Sequence, residues 1–343
     1  MDIKAYAIEG RGKAATPFTY QRTLGPHDVL VGLTHRSITR GDIQFIDDDW
    51  GDTRFPFVPG HEMIGIVEEA GSDVTDLKIG ERVGIGFQVG ACFECSFCLQ
   101  GTEQFCPTQT AIGVSAFGGL ANHIVVDARF AFPLPSQLES AASCPLMSSG
   151  LTPFAAIEYA RLPAAARVAV VGIGGLGQLA LQFLRAMGHH TSAFSSSPEK
   201  RDTIERLGVE YVDGTDASAF ASRRGTFNFI LSTVNAPFEL DAYLRMLRPD
   251  GQLCLVATPL KPLSLTGGLL YDYARRRIYG NYVGSRADTG RMLTFAANHG
   301  IVPAVTVVPF SKVSDNADAK VNDIIDRVRR REFSTSVVLQ TDG

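Results

Sequence analysis

RVAVVGIGGLGQLALQFLRAMG, residues 167–188, reads as a buried strand, a glycine turn and an apolar helix. The turn is Gly172-Ile173-Gly174-Gly175-Leu176-Gly177, a G-x-G-x-x-G run. Alone, such a run is a weak signal. Between a strand and a helix it marks a dinucleotide site, because the glycines let backbone approach a pyrophosphate and the helix start offers N–H groups. The competing reading is a tight strand-to-helix turn with no ligand.

Strand and helix keep alternating downstream. TSAFSSS reads as a strand, PEKRDTIERLG as a helix, YVDG and FNFILSTV as strands, FELDAYLRMLRPDG as a helix ending in glycine, and QLCLVAT as a strand. This is the pattern of a doubly wound parallel sheet, a Rossmann domain. An NAD site usually carries an acidic residue about 20 residues beyond the glycines to hold the ribose 2′-hydroxyl. Here that strand ends in Ser195-Ser196-Ser197-Pro198-Glu199-Lys200. Serine hydroxyls and a lysine suit a 2′-phosphate, so the residues favour NADP(H), with Ser195, Ser196 and Lys200 as its contacts. The bland alternative is that the serines cap the helix at Pro198.

Upstream, to about Leu151, the chain reads as short alternating strands with glycine-rich turns: HDVLVGLTH, MIGIVEEAG, ERVGIGFQVG and ANHIVVDARFAFPLP. Into this all-β, barrel-like region is set a cysteine lobe. Cys92, Cys95, Cys98 and Cys106 have the compact spacing of a closed four-thiolate zinc site, and the metal would supply the stability that the lobe's few apolar residues do not. An iron–sulfur cluster is the rival. Cys144 and Cys254 stand alone and read as small buried hydrophobes. From about Asn298 the tail returns to strand-like pieces around the helix-like VNDIIDRVRRRE.

The chain has 343 residues, 45% hydrophobic and 20% charged, enough for two globular domains. A net charge of −4 without a basic block argues against nucleic acid or anionic membrane as partner. No apolar run is long enough to span a bilayer, and MDIKAYAIEG reads as a strand, so a cytoplasmic location is expected.

These motifs, with FPFVPGHEMIGIVEEAG and VGSRADTGRMLTFAANHGIVP, resemble the zinc-type medium-chain dehydrogenase/reductase superfamily, in its cinnamyl-alcohol-dehydrogenase-like group. The resemblance covers nearly the whole chain. It implies a GroES-like β-rich catalytic domain over 1–151 and 298–343, carrying the structural-zinc lobe at about 90–107. It also implies a Rossmann NADP(H)-binding domain over 152–297, a homodimer, a small-molecule substrate, and NADPH with one structural zinc per chain. Thr152, Thr233 and the segment Asn281-Tyr282-Val283 match the family's positions around the nicotinamide.

The resemblance fails where a second, catalytic zinc would bind. His61 and Glu62 match the family's Gly-His-Glu, but the two cysteine ligands fall on Thr39 and Ser148, and the relay histidine and serine on Arg40 and Gly41. Trp50 and Gly51 keep the alignment in register. Neutral hydroxyls bind zinc poorly, and one histidine plus one glutamate is too small a ligand set. Cys144, four residues from Ser148, is a weak substitute. The pocket residues are therefore Thr39, Arg40, Trp50, His61, Glu62 and Ser148, with His61 as proton donor or as a relic satisfied by Glu62 or backbone. The expected activity is zinc-independent reduction by NADPH of an activated C=C or C=N bond in a specialised metabolite. The alternatives are a zinc alcohol dehydrogenase with atypical ligands and a non-catalytic NADPH-binding protein.

Overall fold

A computed structural model describes residues 1–236, 238–272, 274–311 and 318–341. The chain forms two compact units, one of Met1–Ser148 with Ser285–Gly343, the other of Ser149–Gly284.

The first unit is built on a seven-stranded sheet. Its long strand Asp28–Ile38 pairs antiparallel with Met63–Ala70, with His123–Asp127 and with the C-terminal strand Ser336–Thr341. It serves three partners because His123–Asp127 pairs with its first half and Ser336–Thr341 with its last residues, while Met63–Ala70 runs along it with two register shifts. Its inner face buries Val29, Val31 and Leu33 against Val67, Val83, Ile85, Val126, Val337 and Leu339. This sheet carries the core of the β-rich first unit. Arg36 is wholly buried among these strands, donating to the carbonyls of Leu33, Gly119 and Ala121 and, at 2.5 Å, to Thr341 Oγ1. A buried guanidinium is tolerated only when its donors are satisfied in this way.

The second unit is a six-stranded, wholly parallel sheet. Its spatial order is Glu210–Asp213, His190–Ser195, Arg167–Val171, Phe227–Ser232, Leu247–Leu255, Arg277–Gly280. Chain order reverses between Arg167–Val171 and Phe227–Ser232, which opens a crevice at the carboxyl ends of those strands. The glycine turn lies there and leads into the helix Gly175–Ala186.

Two local readings change. The expected helix FELDAYLRMLRPDG stops at Met246. Leu247-Arg248-Pro249-Asp250-Gly251 already belongs to the next strand, with Leu247 opposite Phe227 and an irregularity before Phe229. Sheet pairing overrides helical pattern there. The sequence set the second domain's end at 297, whereas the second compact unit ends at Gly284, so the helix Arg286–His299 falls in the first unit.

Candidate active site and metal lobe

Thr39 follows the long strand directly and caps the short helix Arg40–Ile46. Its hydroxyl accepts from the N–H groups of Gly41 and Asp42 and donates to Asp42 Oδ2 at 3.0 Å. This capping box turns the Asp42 carboxylate back over the helix start. Asp42 is fully buried, and four donors surround it: Thr39 N (2.7 Å) and Oγ1 (3.0 Å) on Oδ2, Gly60 N (2.8 Å) and His61 Nδ1 (2.9 Å) on Oδ1. Burial alone would favour the neutral acid, but the His61 charge and hydrogen bond, with the backbone donors of Thr39 and Gly60, hold the carboxyl below its ordinary value.

His61 answers in kind. Burial opposes the imidazolium, yet the charge and hydrogen bond of Asp42, with the Glu62 charge, raise its pKa to about 9. The pair is therefore a buried aspartate–imidazolium couple at neutral pH. Asp42 fixes the proton at Nδ1, which leaves Nε2 as the atom that can give or take one. No hydrogen bond reaches Nε2 among the described residues.

The other predicted pocket residues divide. Thr39 joins His61 through Asp42. Glu62 is fully buried, and its charge acts on both His61 and Cys144. Arg40 is exposed and donates to the Arg329 carbonyl at 3.2 Å. Trp50 is exposed, with its ring edge-on to Phe45 at 4.9 Å; Phe45 stacks on Phe87, which meets the His61 ring edge-on at 6.2 Å. Ser148 follows the turn Cys144–Met147 and is half-buried, and no hydrogen bond joins it to His61 among the described residues. The expected His61 partners, Glu62 or backbone, give way to Asp42. Its signal was present in the sequence as a threonine followed three residues later by an acid, a capping-box spacing.

The donor set does not suit a catalytic zinc at His61. Thr39's hydroxyl is spent on its cap and on Asp42. Cys144 is fully buried, and burial followed by the Glu62 charge pushes its thiol well above the usual range, away from the thiolate a metal needs.

In the second unit the residues suit a dinucleotide. Gly172 has φ +85°, and a Cβ on Gly177 would lie 2.1 Å from the Gly172 carbonyl oxygen, so both positions demand glycine. A Cβ at Gly174 would meet no protein atom. Protein packing leaves that face of the turn open, and Gly175 and Leu176 begin the helix beside it. Thr233 ties the turn down, its hydroxyl donating to the Gly172 carbonyl at 2.6 Å. Lys200 folds back so that Nζ donates to the Ile173 carbonyl at 2.9 Å, which brings its charge beside the glycine turn. Ser195 is buried and accepts from Ser197 N, while Ser196 is exposed. Ser197 occupies the cap position but makes no capping bond, so the hydroxyls are not used up by the helix. Thr152 is buried in the helix Leu151–Ala160. Asn281 donates to the Val283 carbonyl and bonds through its N–H to Leu255, Tyr282 is exposed, and Val283 holds a left-handed φ of +37°.

In the first unit the four lobe cysteines converge. Their sulfurs lie within 4.8 Å of one another, with neighbours at 3.5, 3.6 and 3.9 Å. A tetrahedron with Zn–S near 2.3 Å has edges of about 3.8 Å, so the set fits zinc. The lobe is held by Phe93, whose ring lies under the Arg129 guanidinium at 3.4 Å and near Arg286 at 5.3 Å, and by Glu103, which accepts from Arg286 N at 2.6 Å.

Comparison with known proteins agrees with both units. The family described as Alcohol dehydrogenase GroES-like domain matches residues 25–136, and that described as Zinc-binding dehydrogenase matches 175–298. A probable formaldehyde dehydrogenase, AdhA, of Bacillus subtilis (strain 168) is 40% identical over 304 residues, covering 86% of this chain and 87% of that protein. Aldehyde reductase AdhA of Synechocystis sp. is 36% identical over 316 residues, 91% of this chain and 94% of its own. The solved structure of cinnamyl alcohol dehydrogenase SbCAD4 from Sorghum bicolor superposes with a TM-score of 0.92 at 30% identity, covering 99% of this chain and 98% of that one. A GroES-like unit and a dinucleotide-type parallel sheet together define an oxidoreductase of the medium-chain type. The chain belongs to the zinc-type medium-chain dehydrogenase/reductase superfamily, in its cinnamyl-alcohol-dehydrogenase-like group.

Proposed function

We propose that this chain is an NADPH-dependent reductase in which the His61–Asp42 pair replaces a catalytic zinc, acting on an activated C=C or C=N bond such as an enone, enal or imine. The observation that carries the reading is the buried Asp42–His61 hydrogen bond at 2.9 Å in a site that lacks both thiolates. The cofactor is NADP(H), held by the turn Gly172–Gly177 with Ser195, Ser196 and Lys200 toward the 2′-phosphate and with Thr152, Thr233 and Asn281 to Val283 toward the nicotinamide. It supplies the hydride. What the chain must add is a proton and a positive charge near the atom that gains electron density. An imidazolium offers both. His61 gives its Nε2 proton to the substrate, an imine nitrogen or the enolate of an enone, and regains one from water, while Asp42 keeps the ring oriented and charged. An iminium is already cationic and needs only the hydride.

Cys92, Cys95, Cys98 and Cys106 hold one structural zinc, which maintains the lobe. The chain acts as a homodimer on a small molecule. The edge strand Arg277–Gly280, with exposed Tyr159 packed on Tyr279, supports an interface there. Among the described residues no helix is long and apolar enough to cross a membrane. A second reading, reduction of simple aldehydes at the same residues, is favoured by the two relatives whose names specify aldehyde chemistry.

The test is zinc per chain, in protein purified without added metal or chelator, beside NADPH oxidation by a panel of enals, cyclic imines and simple aldehydes. About one zinc per chain with turnover of conjugated or imine substrates is expected, and His61→Gln lowers that turnover about a hundredfold or more. About two zinc atoms per chain would overturn the zinc-free reading.

A further inference from the structure

Phe93 and Glu94 separate the first two lobe cysteines, Cys92 and Cys95. Phe93 takes a left-handed backbone, with φ +60°. A β-carbon makes that conformation costly for a bulky residue, whereas glycine would adopt it freely. The turn brings backbone N–H groups round to sulfur. Cys95 N donates to Cys92 Sγ at 3.3 Å, Glu94 N donates to the same sulfur, and Phe93 N donates to Cys98 Sγ. Donors of this kind orient metal-binding sulfurs and spread their charge.

The ring explains why an aromatic stands where glycine would be easier. It is gripped by groups outside the turn. The Arg129 guanidinium lies over it at 3.4 Å and is itself fixed to Asp127 by bonds of 2.8 and 2.6 Å. Phe130 meets the ring tilted at 5.8 Å. Arg286 approaches it at 5.3 Å and donates through Nε to the Arg129 carbonyl at 2.9 Å. Buried Glu103 accepts from Arg286 N at 2.6 Å, so one arginine ties both ring and lobe to the start of the helix Arg286–His299. Phe97, Leu99 and Phe105, the other large apolar side chains between Cys92 and Cys106, are exposed and give the lobe little packing.

We propose that Phe93 is the positioning residue of the four-cysteine metal site. Its ring, held by Arg129, Phe130 and Arg286, keeps the left-handed turn that aims backbone N–H groups at the sulfurs, and with Glu103 it couples metal binding to the start of the helix Arg286–His299. The inference rests on the reading of the lobe as a zinc site. Without the ring the turn relaxes, its N–H groups leave the sulfurs, and the metal is held less tightly. The coupling is reciprocal: loss of the metal loosens the lobe and uncovers the Arg286 amide.

The experiment uses the full chain as purified with its zinc. Zinc content is measured by elemental analysis, and zinc affinity and release rate by competition with the chromogenic chelator 4-(2-pyridylazo)resorcinol. Hydrogen exchange follows the Arg286 amide with zinc present and removed. The variants are Phe93→Gly, Phe93→Tyr, Arg129→Gln and, as a control for general destabilisation, Phe194→Leu in the core of the second unit. Phe93→Gly is expected to weaken zinc binding about ten- to a hundredfold although it relieves the backbone. Phe93→Tyr keeps the ring and should stay near wild type. Arg129→Gln should weaken zinc severalfold by removing the cation from the ring face. Phe194→Leu should melt lower with zinc affinity unchanged. The Arg286 amide should exchange faster in Phe93→Gly and in zinc-stripped wild type. Zinc held as tightly by Phe93→Gly as by wild type would overturn the proposal, as would equal weakening in Phe194→Leu. Should Phe93→Gly fail to fold, unchanged zinc affinity in Arg129→Gln overturns it instead. An Arg286 amide indifferent to zinc would sink the coupling to the helix. Wild-type protein that purifies without zinc and takes none up would overturn the reading of the lobe as a zinc site, and this inference with it.

Discussion

Asp42→Asn removes one charge and leaves a side chain of nearly the same shape, so it isolates what the carboxylate does for His61. In the folded protein His61 is raised from 6.5 to about 9 against the pull of burial. That gap corresponds to about 3 kcal/mol of preference for the charged ring. Without the Asp42 anion only the Glu62 charge opposes burial, and the ring's pKa falls back toward its ordinary 6.5. For a full return to 6.5, the protonated fraction near pH 8 would drop from about nine-tenths to a few hundredths, roughly a thirtyfold loss of acid, whereas near pH 6 the loss would be less than about twofold. The substituted amide also gives up part of the Thr39 and Gly60 network, costing about 1–2 kcal/mol of stability at every pH. The two effects separate cleanly in a pH profile of kcat/KM for NADPH oxidation. Wild type should lose activity as pH rises through about 9, and Asp42→Asn should lose it earlier, by up to about two pH units. A variant whose activity falls by one common factor at pH 6 and pH 8, with the descending limb unmoved, would refute the argument.

Other outcomes follow from the same geometry. Stability should carry the mark of the pair: His61's contribution is complete below about 6.5 and lost as pH rises through about 9, so the wild-type melting temperature should fall between pH 7.5 and pH 10 and that of Asp42→Asn should fall less. Asp42 contributes in the opposite sense, its share being present above 3.8 and lost only as pH drops through its lower folded value. Lys200→Ala should weaken NADPH binding by about 1.5–3 kcal/mol, roughly ten- to a hundredfold in Kd, and leave NADH nearly unaffected, as read by cofactor fluorescence titration. An equal loss for both cofactors would mean that Lys200 serves only the Ile173 carbonyl it touches.

The sequence by itself determined the parts whose logic is local. The strand, glycine turn and helix of residues 167–188 are contiguous, so the turn's steric demands are written into its own letters. The four cysteines fall within fifteen residues, short enough for spacing alone to imply one metal. The absence of thiolates at positions 39 and 148 was equally legible. Tertiary structure decided what depends on chain segments meeting. Asp42 and His61 are 19 residues apart, and only the capped helix folding back beside the turn before Met63 makes one the anion of the other. No periodicity announces that pair, because a hydrogen bond between side chains carries no repeat. Gly41 reads in the sequence as a lost relay serine, and only the folded chain brings the His61 ring against it. The C-terminal strand Ser336–Thr341 finds Asp28–Ile38 from some 300 residues away, because a half-built sheet exposes an edge that the next compatible strand must cover. Local sequence thus determines which groups are available, and long-range pairing decides which of them act together.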